Sequence, residues 1–252
     1  MNVLFLTMSS QMLDVNANGI YTDLMRKFQK EGHNVYIIAP FERKTGRSTT
    51  LTQGNGFNLL GVKTLNVTKT NVVEKGIGQL LLDYQYMSAL KKYWREVSFD
   101  LILYSTPPIT FTKVIAYAKK TNPDAKTYLL LKDIFPQNAV DLGMLSKSGI
   151  KGILYKSYRR KEKFLYKLSD NIGCMSPANV QYVLKHNPEI DPVRVEVAPN
   201  SFDETSEYTC APEENKIIRI KYNIPTEKKV FIYGGNLGKP QGIPFLIDCL
   251  KA

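Results

Sequence analysis

Short apolar runs alternate with amphipathic stretches along most of this chain. VLFL at Val3–Leu6 is strand-sized. From Gly19 to Lys30 the apolar positions Ile20, Leu24 and Phe28 fall four apart, which predicts a helix. Glu31-Gly32 suits its end, because glycine accepts the left-handed conformation there. NVYIIA, starting at Asn34, then reads as a second strand. Strand, helix and strand in so short a span define a βαβ unit, which requires a parallel sheet with helices on its faces.

The alternation continues. Residues 41–56 are polar, contain glycine and have no period, so a loop is expected. FNLLGVKTLNV reads as extended. Ile77 to Trp94 reads as a helix with Ile77, Leu80, Leu81, Tyr84, Met87 and Trp94 on one buried stripe. Strands follow at DLILYS and KTYLLL, separated by a helix over Ile109–Lys119. A long basic helix covers residues 149–168, then NIGCMS (strand), PANVQYVLKH (helix) and VRVEVAPN (strand). The reading is α/β: residues 1–200 form a Rossmann-like parallel sheet with helices on both faces. Residues 201–228 read as a linker with a short helix near Asn215–Tyr222. From 229 the pattern restarts. KKVFIYGGNLGKPQGIPFLIDCLKA reads as strand Val230–Tyr233, a glycine-rich turn and a helix, the first β-α element of a second domain expected to be truncated.

Composition adds bounds. A hydrophobic share of 43% supports a substantial core. No apolar run reaches membrane-spanning length and MNVLFLTMSS lacks the features of a signal peptide, so a cytoplasmic protein is expected. Cys174, Cys210 and Cys249 are widely spaced and have no metal-ligand spacing with His33 or His186; free thiols and no bound metal are expected.

The net charge of +11 says more. Such a protein binds nucleic acid, an anionic membrane or phosphate-rich ligands. The charge concentrates in SKSGIKGILYKSYRRKEKFLYKL, whose only acid is Glu162. On a helical wheel Ile150, Ile153, Leu154, Phe164, Leu165 and Leu168 share a face expected to cover the sheet. Lys156, Arg159, Arg160, Lys163 and Lys167 cluster opposite, where anionic lipid could meet them. A solvated surface helix is the plain alternative. No recognition motif or zinc site supports nucleic acid.

Two loops suit an anion. Asn18-Gly19 precedes the first helix, and GGNLGKPQG precedes the last. A helix N-terminus offers free N–H donors, glycine permits close approach, and Lys239 adds a charge. An ordinary turn explains either loop equally simply. No Gly-x-Gly-x-x-Gly follows the first strand, which argues against a dinucleotide enzyme, and there is no Walker loop.

NANGIYTDLMRKFQKEGHNVYIIAP, STPP, KDIFPQNAVDLGML, VAPN and FIYGGNLGKPQG, in that order, resemble glycosyltransferase family 4, especially its O-antigen and capsular polysaccharide subgroup. The resemblance spans nearly the whole chain. It implies two Rossmann-like domains facing across a cleft, the GT-B arrangement, with the acceptor on the first domain and a nucleotide-sugar donor on the second. It also implies metal-independent transfer with retention, no cofactor, and a UDP-sugar as donor. A lipid-linked saccharide would be the acceptor, at the inner face of the cytoplasmic membrane. The paired glutamates of the family would fall beyond Ala252. The expectation is therefore a fragment, inactive alone, or a non-catalytic membrane- or partner-binding half of a split transferase.

The resemblance sets Gly19 near the donor diphosphate, faced by Asn236, Lys239, Gln241 and Gly242. Gln241 departs from the lysine many members carry there. Asp133 stands at the C-terminal end of KTYLLL, where open parallel sheets bind ligands, and is the catalytic candidate. It would accept or hold the acceptor's hydroxyl proton, or it caps the FPQN turn. Lys132 occupies the place of a family histidine. Thr106, Pro107 and Asn138 are the acceptor-side candidates, although STPP also serves as a rigid turn.

Overall fold

The computed structural model describes residues 1–68, 70–202, 211–238 and 241–251. The chain divides into two units, Met1–Phe202 and Asp203–Ala252.

The first unit is built on one eight-stranded sheet. Its strands are β1 (Asn2–Leu6), β2 (Asn34–Glu42), β3 (Thr50–Gly54), β4 (Phe57–Thr64), β5 (Leu101–Thr106), β6 (Lys126–Leu131), β7 (Asn171–Cys174) and β8 (Val195–Val197). The order is β3-β4-β2-β1-β5-β6-β7-β8, parallel except for β3, which runs antiparallel to β4. The chain winds outward from β1 to β4, then returns to β5 on the other side of β1. The switch point therefore lies between β1 and β5, where open α/β sheets place their ligand crevice.

The central strands are buried on both faces, which is why they read as continuous apolar runs. One face carries α2 (Val72–Tyr93), α3 (Thr112–Thr121), α5 (Gly149–Leu168) and α6 (Pro177–His186). Leu82, Tyr86, Val114, Leu165 and Val183 pack there on Leu4, Ile102 and Leu129. The other face carries α1 (Ile20–Lys30), whose Met25 joins Val3, Phe5, Val35 and Leu103. A short helix, α4 (Gln137–Asp141), links β6 to α5.

The structure corrects the sequence reading in several places. The expected loop over 41–56 contains β3, an edge strand whose residues are mostly exposed and so lack an apolar signature. On α2 the expected core stripe holds only in its C-terminal half: Trp94 is buried and Met87 packs on the core, but Ile77, Leu80, Leu81 and Tyr84 face solvent, and Leu82, Tyr86 and Leu90 are buried instead. The α5 wheel holds in part as well. Of the expected face Leu165 is buried and Leu168 packs on the core, but Ile150, Ile153, Leu154 and Phe164 are exposed, and Gly152, Glu162 and Tyr166 are buried instead.

The inward face of α5 includes a hydrogen-bonded acid. Glu162 accepts from Arg159 at 2.7 Å and from the Tyr166 hydroxyl at 2.7 Å. Burial pushes the Glu162 carboxyl up, with Arg159 opposing. A charge can be buried when it is paired and bonded in this way, and a count of apolar residues cannot foresee it.

The second unit holds α7 (Pro212–Lys221) and α8 (Ile243–Lys251). The expected strand Val230–Tyr233 is not formed; its side chains are exposed. A strand needs a hydrogen-bonding neighbour, and among the described residues this unit offers none.

Candidate functional site at the C-terminal sheet edge

The switch point gathers polar groups from three segments. Thr106, the last residue of β5, is buried. Its hydroxyl accepts the backbone N–H of Lys132 at 3.1 Å and that of Asp133 at 3.4 Å. Thr106 thus shapes the loop that carries Asp133. Pro107 and Pro108 follow it, each after a cis peptide bond, with Pro107 exposed and Pro108 buried.

Asp133 presents an exposed side chain, yet its surroundings withdraw enough water to raise the carboxyl above the ordinary aspartate range. The half-buried Lys132 is shifted the other way, its ammonium made less favourable by burial. Both shifts favour the neutral forms, and neither side chain serves the other as a strong counter-ion.

Tyr21 completes the group, and its role was not foreseen from the sequence. It sits in the first turn of α1 with its ring 5.3 Å from that of Phe5. Burial raises its phenol, a hydrogen bond with Ser105 opposes this, and the Asp133 carboxylate adds to the rise. The signal available in the sequence was an aromatic two residues after a helix-opening glycine, which alone says nothing about a site.

Beside Tyr21 a cavity of about 280 Å³ opens over the sheet. Leu24, Phe28, Leu103 and Leu130 line its floor, with Lys132 and Asn200 also on its lining.

Gly19 is at the same edge, as the residue preceding α1. Its backbone is extended, and its N–H is directed at Asp23 Oδ1 at 3.3 Å. An anion at that amide competes with the Asp23 carboxylate. The loop before Gly19 is tied down by Arg26, which donates to Val15 O at 2.7 Å and Ala17 O at 3.0 Å. Asn138 lies in α4, half-buried, and its Oδ1 has no hydrogen-bond partner among the described residues.

The remaining expected diphosphate residues belong to the second unit. Asn236 is exposed and its carbonyl accepts from the Tyr233 hydroxyl at 3.0 Å. Gln241 donates its amide to Gly238 O at 3.1 Å. Gly242, in the left-handed region at φ 60°, precedes α8. Lys239 lies outside the described residues.

The basic residues of α5 do not act as one group. Arg159 is half-buried and spends its donors on Glu162, on His186 O at 2.8 Å and on Asn187 Oδ1 at 2.6 Å. It holds α5 to α6 and is not available to lipid, a correction to its expected role. Lys163 pairs with Glu189 at 2.9 Å. Lys156, Arg160 and Lys167 are exposed. No helix among the described residues is long and apolar enough to cross a membrane. Among the same residues no group of three or more His, Cys, Asp or Glu side chains could hold a metal ion.

Comparison with known proteins agrees with this architecture. The family model for Glycosyltransferase Family 4 matches residues 20–206. The chain belongs to that family. It is 25% identical over 243 residues to a probable glycosyltransferase, WbjE, of Pseudomonas aeruginosa, an alignment covering 94% of this chain and 56% of that protein. Among solved structures it resembles a trehalose-6-phosphate protein of E. coli bound with UDP-2-fluoro glucose, with TM-score 0.60 and 9% identity, covering 88% of this chain and 54% of the other. It also resembles the catalytic domain of starch synthase IV from Arabidopsis thaliana bound to ADP and acarbose. There the TM-score is 0.57 and the identity 14%, covering 90% of this chain and 60% of the other. The chain thus spans little more than half the length of these relatives. The structural likenesses define the fold, which is that of GT-B glycosyltransferases.

Proposed function

We propose that the protein transfers a sugar from a nucleotide-diphosphate sugar, UDP-linked, to a lipid-linked saccharide, with retention of configuration and without a metal or other cofactor. The product would be a bacterial surface polysaccharide such as O-antigen or capsule. The lipid of the acceptor would keep the enzyme peripheral to the inner face of the cytoplasmic membrane. The observation that carries this reading is the Asp133 loop, fixed by Thr106 at the switch point of a family 4 fold. In the UDP-glucose-like and ADP complexes of its structural neighbours a nucleotide ligand is bound, which supports a nucleotide-sugar donor.

In this reading Asp133 accepts or orients the hydroxyl proton of the acceptor, and its raised pKa suits a group that must exchange one. Thr106 is a positioning residue that acts through the loop. The Gly19 turn, with Asn236, Lys239, Gln241 and Gly242 from the second unit, would bind the donor diphosphate. Pro107 and Asn138 would border the acceptor.

The test uses protein from the complete reading frame that encodes these residues. Transfer of labelled sugar from UDP-sugars into a lipid extract is measured for wild type and Asp133→Asn. General acid–base roles contribute about 10²–10⁴-fold, so a loss in that range with unchanged donor KM is expected. Equal rates would remove Asp133 from the mechanism. Transfer that appears only on mixing with a second polypeptide would assign the chain to a split transferase.

A further inference from the structure

On α2 and on α5 part of the stripe that helical periodicity assigned to the core faces outward, while Trp94 and Leu165 of the same stripes are buried. Ile150 is 89% exposed and Ile153 71%; Leu80 is 59% exposed and Ile77 49%. Scattered exposed leucines are ordinary, but two apolar stripes on one face are not. The stripes share a surface. α2 and α5 both flank α3, and a notch of about 250 Å³ brings together Leu80 and Tyr84 of α2, Lys113 of α3 and Lys161 of α5.

Topology places this surface beside the candidate site. Crossover helices start at the C-terminal ends of the strands they follow, and α2 follows β4 while α5 follows β6 and the Asp133 loop. The exposed apolar residues fall mostly in the first halves of both helices: Ile77, Leu80, Leu81, Ile150, Ile153 and Leu154. They therefore crowd towards the edge that carries Asp133.

The unpaired charge around them is mostly positive; Glu74, one turn before Ile77 on α2, is held by Arg43 and Thr70, each at 2.7 Å. Lys113, Lys147, Lys151, Arg160 and Lys167 are exposed on α3, α5 and the turn before α5. The one acid of α5, Glu162, is buried and bonded to Arg159 and Tyr166. Asp83 of α2 is likewise buried, accepting the amides of Lys113 and Val114 at 2.8 and 2.7 Å.

We propose that this α2–α5 face docks on an anionic lipid bilayer, with the apolar stripes entering the interface and the cations meeting the headgroups. The inference rests on the lipid-linked acceptor proposed above, and it names the face that would bring the acceptor to Asp133. Charge complementarity selects this occupant. A second copy of the chain would bring cation against cation. A duplex nucleic acid would meet apolar side chains at the centre of the contact, where such interfaces are polar. The docking residues also differ from a purely basic helix face, since Arg159 and Lys163 are already engaged.

The experiment is co-sedimentation of the 252-residue protein with vesicles of phosphatidylglycerol mixed with phosphatidylcholine, and with phosphatidylcholine alone. Partition onto the anionic vesicles is expected to be at least ~10-fold stronger, and to weaken with salt. Ile153→Asp and Leu80→Asp, both at exposed positions, should each lower partition about tenfold by removing apolar insertion and adding repulsion, with unchanged circular dichroism and thermal midpoint. Arg160→Glu/Lys167→Glu should abolish the preference for anionic lipid. Equal or absent binding to the two vesicles overturns the proposal. So does wild-type binding by both aspartate variants, or a concentration-dependent dimer that Ile153→Asp dissolves. Sugar transfer by protein from the complete reading frame, to an acceptor held in detergent micelles, separates the two readings: if it persists while docking fails, only the docking face is wrong.

Discussion

The Thr106 hydroxyl accepts two successive amides, Lys132 at 3.1 Å and Asp133 at 3.4 Å, so one buried side chain on β5 directs the loop leaving β6. Thr106→Val keeps the shape and leaves both N–H groups without that acceptor. Stability should fall by about 1 kcal/mol, read from urea denaturation, because a hydrogen bond lost at half-buried donors costs about that much. Thr106→Ser keeps the oxygen and should recover most of the loss. A pure packing role would give the opposite order, since valine keeps both branches.

The same loop sets a pH dependence. Burial raises the Asp133 carboxyl, and proton acceptance requires the ionised form. Activity should therefore be present above the raised pKa and be lost as pH falls through it. The acid limb of kcat/KM should lie above an ordinary aspartate, and Asp133→Asn should remove it. A limb unchanged in the variant would place the titrating group elsewhere.

The strand and helix order of the first unit was legible because its sheet is buried on both faces, so VLFL, NVYIIA and KTYLLL carry an unmistakable apolar run. Asp133 and Thr106 could be read from strand ends for the same reason. What could not be read was direction. Ile150 and Ile153 share a wheel face with Leu165, yet the side that turns inward carries the bonded Glu162–Arg159–Tyr166 group, which an apolar count does not mark. Tyr21 and Ser105 meet Asp133 through pairing of distant segments, which no local spacing encodes.

Asp170 gives a stability test with a defined sign. Burial pushes its carboxyl up, but the Thr127 amide at 2.8 Å, the Thr127 hydroxyl at 2.9 Å and Lys119 at 3.3 Å outweigh it, and the net shift is downward from 3.8. A depressed folded-state pKa contributes stability that is complete above the unfolded value and is lost as pH falls through the folded one. The denaturation midpoint should drop below about pH 4 in wild type through this group, and that component should vanish in Asp170→Asn.

Cys174 ends β7 and is buried, with its thiol pushed up to about 11 by burial. Cys249 is exposed on α8. Since the thiolate is the reactive form, brief alkylation of native protein at pH 8 should label Cys249 and spare Cys174. Denaturation before alkylation should label Cys174 as well as Cys249; the third cysteine, Cys210, lies outside the described residues. Peptide mass spectrometry reads the outcome, and early native labelling of Cys174 would show that β7 opens readily.

Gly152 sets two rules against each other. It lies inside α5, where replacing glycine by alanine ordinarily gains about 1 kcal/mol of helix stability. Here a Cβ would stand 2.7 Å from the carbonyl oxygen of Lys147, a backbone atom that cannot swing aside as a side chain end would. Gly152 faces inward on the helix, so the strain cannot escape to solvent. Overpacking of this kind costs about 1–3 kcal/mol, and Gly152→Ala should lower the thermal midpoint. Ser157→Ala, on the exposed side of the same helix, should leave it unchanged or raise it slightly. If Gly152→Ala stabilises the protein, propensity has won, and the turn at Lys147 yields more easily than its position under α5 implies.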